Sequence, residues 1–176
     1  MMKPFWFTNF LLFQASWFSA AFYTQHAAWL ISGFLLVHFL LSQNKWADLK
    51  LFPLALFGAC LDKLHLFIGT FSNSVPFTPI DTFFPLWLIL LWLMFVVTLN
   101  HSLSWLINKS LPIVIGFGAC GGTLSYWAGI QAGALSYSWP ITLLIPTLIL
   151  SWGILFPLLV FGVRYLSPIS DLKLLR

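Results

Sequence analysis

The side chains best suited to chemistry cluster between residues 57 and 69, where Asp62, Lys63 and His65 interrupt an apolar run from 49 to 71. A run of that length can cross a bilayer, and at ~1.5 Å per residue Asp62 falls about 20 Å from its start, near mid-membrane. A charge at that depth costs about 2.5 to 3.5 kcal/mol on insertion scales, so it requires a partner or a polar cavity. Gly58, Asp62, His65 and Gly69 recur at steps of four, three and four, which sets them on one helical face. Lys63 projects about 100° from that face and cannot simply neutralise its neighbour. A carboxylate and an imidazole one turn apart can exchange a proton, so Asp62, His65 and Lys63 are candidates to bind a substrate or a proton. A static polar cluster that locks two helices together is the competing reading.

Partners for Asp62 are sought at matching depth on another helix, and Ser125 and Tyr126 fit. They lie beside a small-residue stripe, Gly118, Gly122, Gly129 and Gly133, of the kind that lets membrane helices pack closely. A second polar group, Asn9, Gln14, Asn100 and His101, lies nearer the other ends of its segments and could form an inner vestibule. Hydrogen-bonded helix contacts are the plainer reading of these four. His38, in the lower half of its segment, is given at most a supporting role, and Asp48 is placed with Lys45 and Lys50 in a connecting loop. No metal site and no cofactor are expected. Cys60, Asp62, His65 and His101 are ligand types, but their spacing is poor, and no HExxH, CxxC, nucleophile elbow or phosphate loop occurs. Without a second carboxylate in the spans, the reading leans away from an enzyme.

The elements that must hold these residues are helices. With 60% hydrophobic residues and 7% charged, against about 25% charged in a soluble domain, the chain reads as an all-α, polytopic membrane protein of one domain, 1–176. Six apolar segments stand out, at 5–23, 27–42, 49–71, 84–107, 111–133 and 139–165, which predicts about six transmembrane helices. The first follows Lys3 and ends near small residues, as a signal peptide would, but Asn9, Gln14 and Trp17 interrupt its core and favour a retained helix. In a six-helix arrangement Lys and Arg fall on one side, which predicts cytoplasmic N and C termini and removes any need for nucleic acid to explain the net charge of +4. The loop at 72–83 would then cover the outer mouth of a cavity. Trp6, Trp29, Trp46, Trp87 and Trp139 are expected as interfacial anchors, and Cys60 and Cys120 as packing residues. In the last segment Pro140 suits a helix start, while Pro146 and Pro157 predict kinks.

Segments 29–69 and 92–129 share an order of landmarks, from Trp29, His38, Asn44-Lys45 and Pro53 to Trp92, His101, Asn108-Lys109 and Pro112. That order suggests a parallel helical-hairpin repeat.

Asn9, Gln14 and Trp17, then Gly58, Asp62 and Gly69, Pro85-Leu86-Trp87 with Trp92, His101-Ser102-Leu103-Ser104-Trp105, and Gly121-Gly122 with Ser125-Tyr126 and Gly129 resemble an uncharacterised family of small bacterial inner-membrane proteins, a domain of unknown function. The resemblance implies a multi-pass protein of the bacterial inner membrane and supplies no substrate. Its implied genomic setting, near lipid-modifying enzymes such as cyclopropane fatty acid synthase, points to lipid or envelope physiology. Two functions follow as expectations. One is a carrier or lipid-handling protein with its polar site around Asp62. The other is a non-catalytic scaffold, whose partners would be the bilayer, other membrane proteins or a second copy of the chain.

Overall fold

A computed structural model describes residues 5–73 and 84–166. Seven α-helices are found among these residues: α1 (Phe5–Phe22), α2 (Thr24–Leu41), the short α3 (Lys45–Lys50), α4 (Phe52–Phe67), α5 (Leu86–Thr98), α6 (Leu111–Gln131) and α7 (Ile141–Leu166). Two three-residue strands, β1 (Phe71–Asn73) and β2 (Leu135–Tyr137), form an antiparallel ribbon with Phe71 opposite Tyr137.

The expected six spans are not all there. Among the described residues three helices, α2, α6 and α7, are long and apolar enough to cross a membrane. The others fall short for identifiable reasons. In α1, Asn9, Gln14, Ser16 and Ser19 dilute the apolar character over 18 residues. The run at 49–71 is divided because Pro53, which suits the first turn of a helix, restarts the chain as α4. Gly69 adopts a φ of 74° just after α4 ends. The 16 residues between span about 24 Å, less than the ~30 Å of hydrocarbon. The run at 84–107 leaves the helix at Thr98, where Asn100, His101 and Ser102 occupy tight turns before a 3-10 turn at Ser104–Leu106. Polar side chains that compete for backbone partners favour such exits.

The six-helix count that placed both termini on the cytoplasmic side therefore does not stand. Lys3, Lys173 and Arg176 lie outside the described residues, as do residues 74–83 of the loop at 72–83 expected over the cavity mouth. The exterior is nonetheless that of a membrane protein. Trp29, Leu40, Phe67, Leu150 and Phe161 are exposed along the helices, far beyond the apolar surface a soluble monomer shows. Cys60 and Cys120 are exposed too, rather than packed inside.

Short α5 is the hub of the bundle. Trp87, Leu88, Trp92, Met94, Val96 and Val97 are buried, and the helix packs against α1, α2 and α4. Asn9 near the start of α1 meets His38 near the end of α2, so these two run as an antiparallel hairpin. Helices α6 and α7 form the other tight pair. A Cβ at Gly118 would collide with Phe156 and one at Gly122 with the Trp152 indole, so these glycines permit the close approach. Gly129 has nothing within 4 Å of a built Cβ, and Gly133, at φ 87°, belongs to the turn that ends α6. Helix α7 continues through Pro146 and Pro157 as one element, with Pro140 accepting backbone bonds at its start.

Candidate functional site

A cavity of about 500 Å³ lies between α1, α5, α6 and α7, within the size range of small-molecule sites. Its wall is aromatic, with Phe13, Trp17, Trp87, Trp92, Tyr126 and Trp152 facing it. Gly121, Gly122 and Gly129 leave part of the α6 side without side-chain bulk. Polar groups are few. Gln14 and Ser102 line the cavity, and the Trp17 Nε1–H donates to Ser125 Oγ at 2.8 Å. Trp87, expected as an interfacial anchor, is 5% exposed, and its Nε1–H has no acceptor among the described residues.

Asp62 stands behind this wall. Gly58, one turn earlier on α4, leaves the space that the Trp92 ring fills; a Cβ there would overlap the indole. Trp92 also stacks on Trp152, with centroids 5.4 Å apart. Held in this way, its Nε1–H donates to Asp62 Oδ2 at 2.5 Å, while the Tyr126 hydroxyl donates to Oδ1 at 2.5 Å. Of the residues sequence reasoning grouped with Asp62, Tyr126 meets it, whereas Ser125 binds Trp17. His65 turns away: its Nε2 lies 3.1 Å from Ser151 Oγ on α7, and its ring stacks on Phe71. Lys63 is half-buried.

The second polar group is larger than the sequence suggested. Asp48, read as a loop residue, is fully buried and collects four donors. His38 Nε2 lies 3.0 Å and Ser42 Oγ 2.7 Å from Oδ2, while His101 Nε2 at 2.8 Å and Asn100 Nδ2 at 3.1 Å hold Oδ1. Burial alone would raise the Asp48 pKa, but the hydrogen bonds from His101 and His38, the His101 charge and the Ser42 hydroxyl outweigh it. Together they hold the carboxyl well below the usual carboxylate range. Asn9 joins this group, accepting from Ser102 N and Oγ with its Oδ1 and facing His38 Nδ1 with its Nδ2 at 3.5 Å. Phe5 packs on both imidazoles. Thus Asn9, Asn100 and His101 of the expected vestibule come together, and Gln14 lies in the cavity instead. Sequence reasoning missed Ser42 and Asp48, and gave His38 at most a supporting role. Asp48 is one of only four acidic residues, with four histidines to pair with, and that scarcity was the available signal.

Fold and site together define a small, multi-span helical membrane protein with an aromatic cavity and a buried His/Asp cluster. Residues 6–158 match the family described as "Protein of unknown function (DUF2878)", and the chain belongs to that family. No curated protein and no solved structure matches it.

Proposed function

We propose that this protein is a lipid-handling protein of the bacterial inner membrane that holds an apolar chain in the cavity between α1, α5, α6 and α7. The observation that carries this reading is the cavity wall: indole and phenyl faces surround a space of about 500 Å³ with few polar groups, among them Gln14, Ser102 and Ser125. Asp62 acts on this site through Trp92 and Tyr126, fixing two of the wall residues.

Gly129→Leu separates ligand binding from folding. A Cβ at 129 meets nothing within 4 Å, and residue 129 lines the cavity, so the leucine should occupy ligand space without displacing protein. Wild type and variant purified in mild detergent should elute alike, with a defined lipid retained by wild type and depleted in Gly129→Leu, as measured by mass spectrometry of organic extracts. Equal lipid content in two well-folded samples would reject the cavity as the binding site and leave the scaffold function ahead.

A further inference from the structure

We propose that His38, Asp48 and His101 form a binding site for a divalent transition-metal cation of the zinc type. The three side chains come from α2, α3 and the turn that follows α5, and one ligand atom from each lies within 4.8 Å of the others. Two imidazoles and one carboxylate make a donor set suited to zinc; calcium and magnesium prefer all-oxygen sites, and softer ions prefer sulfur. Three protein ligands leave a fourth position for water or another small ligand. Asp48 and His38 side chains are fully buried, whereas the His101 side chain keeps 7% of its surface exposed, which marks the side from which an ion would reach the group.

The surrounding groups match those that orient metal ligands. Ser42 and Asn100 donate to the Asp48 oxygens and fix the carboxylate plane. Without an ion, the close Nε2 to oxygen contacts are hydrogen bonds, and each contacting Nε2 carries the proton. Loading puts the ion in place of the proton at each Nε2, and each displaced proton moves to Nδ1 of its own ring. The shift has one consequence at Asn9. Its Nδ2 faces His38 Nδ1, an arrangement suited to an unprotonated Nδ1, while its Oδ1 is engaged by Ser102. A carboxylate at position 9 could accept from Ser102 and from a protonated His38 Nδ1 together.

The sign of the Asn9→Asp effect is therefore the test. Full-length protein in detergent, stripped with a chelator and titrated with Co²⁺, should develop a saturable visible absorption that Zn²⁺ abolishes. Asn9→Asp should tighten Co²⁺ binding about 10-fold by orienting His38. His38→Gln and His101→Gln should each remove the absorption. Wild-type protein that elutes as a folded species yet binds neither Co²⁺ nor Zn²⁺ overturns the proposal. So does folded Asn9→Asp that binds no more tightly than wild type, or binding that survives both histidine substitutions. This inference is independent of the lipid reading: Gly129→Leu should leave the cobalt titration unchanged.

Discussion

Asp48 and Asp62 are 0% and 1% exposed, and each meets the cost of burial differently. A carboxylate offers about four acceptor positions. Asp48 fills them with two imidazoles, a hydroxyl and an amide drawn from α2, the cap after it and the turn after α5. Asp62 receives an indole N–H and a phenol, both attached to rings that face the cavity. The first aspartate is held from all sides and has no capacity left unless a cation replaces the histidine protons. The second keeps acceptor capacity in reserve, and its donors are also the wall of a binding space. Burial alone therefore does not distinguish a structural tie from a working group; the number and kind of donors does.

The sharpest way to break this contrast is Asp48→Asn. An amide keeps one acceptor oxygen, so two of the four donors lose their acceptor, at about 1 to 3 kcal/mol each. Folded yield and thermal midpoint should both fall steeply. A variant as stable as wild type would show that the cluster contributes little to folding. Tyr126→Phe should have an intermediate effect, since Asp62 keeps Trp92 and loses one charge-assisted bond, worth about 1.5 to 3 kcal/mol. Its thermal midpoint should lie between wild type and Asp48→Asn, with a loss of retained lipid greater than the loss of stability.

The smallest effect on stability is expected for Asp62→Asn. The amide oxygen can accept from Trp92 while its NH₂ donates to the Tyr126 hydroxyl, so both contacts survive and the cost stays at about 1 kcal/mol or less. Folded amount and rescue of a deletion strain under envelope stress, measured together, make this variant informative. Normal abundance without rescue assigns a function to the Asp62 charge. Normal abundance with full rescue reduces Asp62 to a tie between α4, α5 and α6.

Part of this contrast was legible in the sequence. Asp62 stood out because a charge within an apolar run demands a partner, and Tyr126 lay at the right depth on a helix whose Gly118 and Gly122 permit close packing. Asp48 did not stand out, since an aspartate between two lysines reads as a solvated loop. Its burial depends on α5 ending at Thr98, and an apolar run does not reveal a helix end within it. The same limitation produced six spans where, among the described residues, three helices have the length and composition to cross. The helix restart at Pro53 and the polar turn at 100–102 shorten two segments without lowering their hydrophobicity much. The aromatic lining of the cavity was not legible, because it requires four helices to be placed at once. The hairpin repeat expected from the sequence would make His38 and His101 counterparts.

The ribbon between β1 and β2 constrains how the protein is made. Every partner of Asp48 lies at or before residue 102, so that cluster can close while the ribosome is still adding α6. Asp62 obtains Trp92 in the same interval but must wait for Tyr126, and β1 waits longer still for β2. The nascent chain thus passes through a stage in which one aspartate is fully paired and the other half paired, with a strand edge open. Docking of α6 completes the pairing of Asp62, and β2, which follows it, then closes the strand edge. Contacts between segments so distant in sequence form slowly, and that makes the last third of the chain the part whose arrival decides when the cavity exists.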